Sequence, residues 1–159
     1  MRLALFIIIA AGTGCAGSLT SDSQRTLVAA PQSLYNRLGG APVLQHLVDA
    51  WLLEAASDPR IRDFFRDADI SHLKLRLVER LCVLVDGPCL YRGANVAEHH
   101  ARLGIEPHHL DAFLDDLSPA LQRLGVDEAL AKELREALVI LAAQIGASQS
   151  VGGHDTRSR

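Results

Sequence analysis

Aromatic residues are scarce in this chain. Phe, Trp and Tyr together make up 4% of its 159 residues, although 48% of all residues are hydrophobic. The core must therefore consist mainly of Leu, Ala and Val. No long run of Lys or Arg occurs and the formal net charge is −3, which argues against a nucleic-acid-binding surface. No segment alternates apolar and polar residues for long enough to predict a sheet. What is left is one all-α globular domain, long enough to bury a core.

The N-terminus has the pattern of an export signal over residues 1–16. A basic start precedes the apolar run 3–10, and small residues continue to Cys15. The run is too short to span a bilayer, which takes about 20 apolar residues. Residues 12–15 resemble a bacterial lipobox, so we expect lipidation at Cys15, with ordinary cleavage near Ala16 as the alternative. Both predict an exported protein, either periplasmic or anchored to a bacterial membrane as a lipoprotein. The other interpretation is an apolar helix that is never cleaved.

Composition divides the rest of the chain into three parts. Residues 17–31 are rich in Ser, Thr, Asp and Gln and predict a flexible linker. Residues 32–147 carry the helical domain. Residues 148–159 are polar, contain a Gly-Gly pair and predict a disordered tail.

Only Cys82 and Cys89 remain after the signal. An exported protein can oxidise them to a disulfide. Cys82 falls in a helical pattern and Cys89 in a loop, and a bridge requires a geometry that spacing alone does not give. The favoured interpretation is a buried thiol and a loop thiol.

Apolar residues recur at spacings of three and four throughout the domain, which predicts four substantial helices and two short ones. Asp69 or Ser71 can cap the third helix, and Asn95 and Asp127 can cap later ones. A proline at position 119 predicts a kink in the helix that begins near Pro107. The predicted helices cover 33–38, 42–56, 70–85, the segment between positions 95 and 104, 107–124, and the segment after position 127.

Adjacent histidines, His99 and His100, lie on the short helix after position 95. Neighbouring helical residues point about 100° apart, so the two imidazoles cannot face the same place. One of them can point into the core while the other meets solvent, and a neutral imidazole that points inward is a candidate metal ligand. The alternative is a surface histidine with no ligand.

Six segments occur together in one order and spacing: 33–40 (SLYNRLGG), 58–60 (DPR), 64–65 (FF), 87–88 (GP), 91–93 (YRG) and 98–105 (EHHARLGI). Together they resemble a truncated haemoglobin of group I (the N type), over about residues 33–147. The resemblance implies a two-over-two helical globin sandwich around haem b. It makes His100 the proximal iron ligand, places Phe65 against the porphyrin and leaves His99 exposed.

The distal side departs from that family. The family carries an aromatic residue followed by Tyr on the second helix, and here the pair is Trp51 and Leu52. The family's Gln position on the third helix is Leu77, and Leu73 stands one turn earlier. The cofactor would thus meet an aliphatic pocket without a hydrogen-bond donor. A donor to a partly negative ligand is worth about 1.5–3 kcal/mol, so O₂ affinity should fall by roughly one to two orders of magnitude. CO is less polar and should be nearly unaffected.

Two further side chains on the third helix need an interpretation. Arg76 corresponds to a basic position of the family that reaches a haem propionate, and a guanidinium suits a carboxylate. A solvated helix arginine is the alternative. His72 lies one residue out of register for a distal ligand, and we expect it to be exposed.

The resemblance implies a protein that binds a diatomic gas, namely O₂, NO or CO, for sensing, storage or oxygen transport. An NO dioxygenase or a peroxidase-like haem enzyme is the first alternative, and the aliphatic pocket disfavours it because it supplies no acid or base. A degenerate globin that acts as an interaction module is the second. A gas-binding globin outside the cytoplasm would also require a reductase or another electron donor, which the sequence does not identify.

Overall fold

The computed structural model describes residues 32–152, with side chains described for 32–147. The predicted signal (1–16) and linker (17–31), and the end of the predicted tail, lie outside the described residues. Within them, no helix is both long and apolar enough to cross a membrane.

Every regular element in the described part of the chain is a helix, as the sequence predicted. A 3₁₀ turn, Arg62–Phe65, separates the second and third α-helices. The α-helices are α1 (Leu34–Leu38), α2 (Gly40–Ala55), α3 (Ile70–Leu84), α4 (Val96–Arg102), α5 (Pro107–Asp115), α6 (Leu117–Arg123) and α7 (Glu128–Gly152). Helix α7 continues into the first residues of the segment predicted as a tail.

Local signals in the sequence determine where most of these helices begin. The side chains of Asp69, Asn95 and Asp127 accept hydrogen bonds from backbone N–H groups in the first turns of α3, α4 and α7. Such bonds satisfy N–H groups that have no partner inside the helix. Gly39, at φ +103°, ends α1 in a left-handed conformation that glycine adopts without strain. These predicted helix boundaries are confirmed.

The sequence predicted a kink at Pro119. In the structure the helix is instead interrupted three residues earlier, at Asp116. A proline ring clashes with the carbonyl of the residue four positions before it, which is Asp115. Helix α5 therefore ends at Asp115, and Pro119 is accommodated in the first turn of α6, where its missing N–H costs nothing.

The core lies between two helical layers. Helix α3 packs on α2, and α5 and α6 adjoin α7, while α2 crosses α6 to join the layers. Helix α4 packs on α7. The largest fully buried side chains belong to the tryptophan and to aliphatic residues, as the composition required: Trp51, Leu44, Leu47, Leu81, Leu117, Leu121 and Leu134.

Cys82 and Cys89 form a disulfide, with their Cα atoms 5.8 Å apart. The favoured interpretation of two separate thiols was therefore wrong. Helix α3 ends two residues after Cys82, and Asp86, at φ +58°, turns the chain back. Gly87 then donates its N–H to the Cys82 carbonyl at 2.7 Å, and this tight return brings Cys89 over the end of the helix.

Candidate functional site

The two adjacent histidines of α4 have different surroundings, as predicted. His99 is exposed and His100 is half-buried. The Nδ1 atom of His100 is buried and has no hydrogen-bond partner among the described residues. Burial, and secondly the charge of His99, lower the pKa of His100 below its ordinary value. His100 is therefore neutral at pH 7, and this is the form of imidazole that binds metals.

The leucine stripe of α3 is only partly covered by the rest of the protein. Leu81 is fully buried, whereas Leu73, Leu77 and Leu84 are half-buried and pack on the edge of the main core. A half-buried row of leucines in the middle of a domain leaves apolar surface that a large apolar ligand can cover.

Trp51 and Leu52, adjacent on α2, are both buried. Trp51 is 1% exposed and stacks on Phe113 with ring centroids 4.1 Å apart, and its Nε1 donates to the Phe113 carbonyl at 2.6 Å. Phe65 is half-buried, with its ring centroid 6.4 Å from that of Phe113. Three of the chain's few aromatic rings thus form one continuous group. Phe113 was not among the predicted site residues. The apolar periodicity of its helix predicts only that it is a core residue.

The structure gives Arg76 a protein partner. Its Nη1 donates to the Glu79 carboxylate at 2.8 Å, and the same oxygen accepts the backbone N–H of Arg92 at 3.2 Å. The Arg76 Nε is buried and has no partner among the described residues. Arg76 is thus half-buried and paired, unlike a solvated arginine. His72, on the same helix, is exposed as predicted.

A cavity of about 390 Å³ lies between α3, α7 and the segment that leads into α4. Val96 and Ala97 line it from the first turn of α4. They precede His100 by four and three residues, so they share its face of the helix. Its other lining residues include Arg80, Tyr91, Leu141 and Ile145. None of the seven predicted site residues is among the residues that line this cavity.

A second group of ionisable residues surrounds the α5–α6 break. Arg60 donates to Asp58 and to Asp115 at 2.8 Å each, and its hydrogen bonds hold the pKa of Asp58 below the usual value. Burial, and then the charge of Asp58, raise the pKa of Asp116 to about 6. The Oδ2 atom of Asp116 is buried without a hydrogen-bond partner among the described residues. Asp116 is therefore ionised at pH 7 in surroundings that favour its protonated form.

Replacing Asp116 by Asn should stabilise the protein above pH 6. The folded-state pKa of about 6 exceeds the ordinary value of 3.8, so wild-type stability falls as pH rises from about 4 to 6. The full shift corresponds to about 3 kcal/mol, which solvent screening reduces to about 1 kcal/mol. Thermal unfolding at pH 8 and at pH 4 measures this: the Asn variant should melt at a higher temperature at pH 8 and at the wild-type temperature at pH 4. An equal difference at both pH values would exclude titration of Asp116 as the cause.

Comparison with known proteins gives consistent similarities. Residues 33–146 match the family described as bacterial-like globin. The chain is 31% identical over 103 residues to a group 1 truncated hemoglobin of Tetrahymena pyriformis, covering 65% of this chain and 85% of that protein. It is 30% identical over 122 residues to group 1 truncated hemoglobin GlbN of Mycolicibacterium paratuberculosis, covering 77% and 90%.

Solved structures agree with the fold. The Fe(III) form of the Tetrahymena pyriformis protein superposes with a TM-score of 0.63 at 29% identity, covering 67% of this chain and 92% of that one. A 2/2 hemoglobin of a Synechococcus species, in the cyanomet state with covalently attached heme, gives a TM-score of 0.68 at 24% identity, covering 74% and 99%.

Proposed function

The chain belongs to the bacterial-like globins and, within them, to the group 1 truncated haemoglobins, and from this premise we propose that it binds a diatomic gas at a haem iron held by His100. Its cofactor is haem with iron. The observation that supports His100 as the ligand is its half-buried, neutral imidazole with an unpartnered ring nitrogen. When bound, the haem would supply an iron that can bind a small gas, with His100 as the residue that holds it.

The residues present fit such a group. His100 offers a nitrogen ligand, and Leu73, Leu77 and Phe65 offer half-buried apolar surface that a porphyrin can cover. Arg76 offers a cation of partly buried character, now paired with Glu79. Because α3 packs mainly on α2 while α4 packs on α7, the apolar stripe and His100 belong to different helical layers.

The proposed distal residues determine which gas is held well. Leu52 is 6% exposed within the main core, and Leu73 and Leu77 pack against that core. Their side chains carry no hydrogen-bond donor, so a ligand that becomes partly negative, such as O₂, gains nothing from them. CO depends less on a donor. We therefore propose weak O₂ binding relative to CO, with gas binding ranked above NO dioxygenase or peroxidase activity because these leucines supply no acid or base.

Titration of the haem-free protein with haemin tests the proposal. A sharp Soret band should develop and saturate at one haem per chain, and reduction under CO should give a stable complex. The ratio of CO affinity to O₂ affinity should exceed that of a group 1 relative with a distal Tyr by roughly 10–100-fold. A spectrum that remains that of free haemin would refute haem binding. A ratio of CO affinity to O₂ affinity equal to that of the relative with a distal Tyr would refute the apolar distal pocket. Since ferrous iron is needed for both gases, an electron donor is implied as a partner.

We also propose that the protein is exported, with its signal within residues 1–16 and with Cys15 as a lipid attachment site that the mature chain keeps. The Cys82–Cys89 disulfide supports this proposal, because disulfides persist in oxidising compartments. Cells producing the full chain should contain it in the envelope fraction, where a maleimide reagent labels Cys82 and Cys89 only after reduction. A chain that begins at residue 17 should stay in the cytosol and be labelled without reduction. A Cys15→Ser variant should leave the membrane fraction. Full-length protein with free thiols in the cytosol would contradict export.

A further inference from the structure

The cavity beside α4 contains one cationic side chain, Arg80, which the roles described so far do not use. Its Nε is buried and makes no hydrogen bond among the described residues. No carboxylate in the described part of the chain forms an ion pair with it, whereas the neighbouring Arg76 has Glu79. A buried guanidinium nitrogen without an acceptor is costly, so it calls for a partner from outside this part of the chain.

Tyr91 holds the Arg80 side chain in place. The guanidinium carbon lies 5.2 Å from the centre of the Tyr91 ring, at a distance typical of a cation–π contact. The Tyr91 hydroxyl donates to the Ala94 carbonyl at 3.2 Å, which fixes the ring. Gly93 lies beneath that ring, and any Cβ at position 93 would collide with the tyrosine hydroxyl. The loop is thus shaped to let Tyr91 fold back toward Arg80.

We propose that Arg80 binds a carboxylate in this cavity. A guanidinium presents a planar fork of N–H donors that matches a carboxylate, and the pairing is strongest where water is partly excluded. Two sources have this chemistry: a propionate of the haem and a free small carboxylate. The haem source rests on the proposed function. It is supported by the position of the cavity, which is lined by Val96 and Ala97 on the His100 face of α4.

Haemin and its dimethyl ester, in which both propionates are blocked, test the haem source in the full chain. Soret titrations compare wild type with Arg80→Gln, and with Arg62→Gln as a matched control at an exposed arginine. Arg80→Gln should weaken haemin binding about tenfold or more and leave the ester unchanged, while the control changes neither. Arg80→Lys, which keeps the charge but not the fork, should recover part of the affinity, and circular dichroism checks that each variant is folded.

Acetate tests the free source in haem-free protein. Thermal unfolding in acetate is compared with unfolding in chloride at equal ionic strength. The carboxylate is a free one if acetate raises the melting temperature of wild type but not of Arg80→Gln, and if the Arg80→Gln substitution leaves the haemin affinity unchanged. Because this measurement needs no haem, failure of haem binding and failure of the Arg80 site are distinguishable. If neither haemin affinity nor the acetate effect depends on Arg80, the proposal is overturned.

Discussion

The His100→Ala variant is expected to lose haem. Removal of a group that merely orients a metal ligand lowers metal affinity about 10–100-fold, and removal of the ligand itself should cost more. His100 is the one described α4 histidine that is half-buried, whereas its neighbour His99 is exposed and is not expected to replace it. Haemin transfer to a competing haem-free globin should be complete for the variant and slow for wild type.

Two controls separate iron ligation from a structural role. His99→Ala removes the exposed neighbour and should retain a wild-type Soret spectrum. Added imidazole should occupy the space vacated in His100→Ala and restore a histidine-ligated spectrum. A wild-type spectrum for His100→Ala without imidazole would show that the iron is held elsewhere.

Leu52→Tyr is expected to slow O₂ dissociation by roughly 10–100-fold, because the new hydroxyl can donate to a partly negative ligand. CO dissociation should change much less. Flash photolysis and stopped-flow mixing measure both rates. Leu52 is 6% exposed in the core, so the larger ring also carries a packing cost of about 1–3 kcal/mol.

Leu52→Phe is the matched control, because it adds nearly the same volume without the hydroxyl. Its O₂ dissociation rate should stay near that of wild type. Equal rates in the Tyr and Phe variants would show that Leu52 does not face the gas.

Helix boundaries followed from the sequence because their causes are local. The carboxylate of Asp69 and the amide of Asn95 act on backbone groups two or three residues away. The break at the α5–α6 junction was placed too late, because the clash caused by Pro119 acts one turn before the proline. The family, the all-α fold and the cofactor were predictable because the six segments that resemble the family keep their order and spacing.

Contacts between distant segments were not predictable in the same way. The Cys82–Cys89 bond depends on the direction in which the chain returns after Asp86. The Asp-Gly-Pro sequence at 86–88 predicts that the helix ends there, but not where Cys89 then lies. The contact between Arg80 and Tyr91 depends on how that same loop returns along α3. Hydrophobic periodicity marks which face of a helix is covered, but it does not identify the side chain that covers it.

The position of Trp51 gives the protein a built-in optical reporter. It is the only tryptophan of the chain, so all indole fluorescence is emitted from a single position. Its ring is stacked on Phe113 and shielded from water, which favours blue-shifted emission in the haem-free protein. Haem absorbs where indole emits, so cofactor uptake should extinguish that emission by energy transfer. Loading and loss of the cofactor can thus be followed in the unmodified chain, without a label.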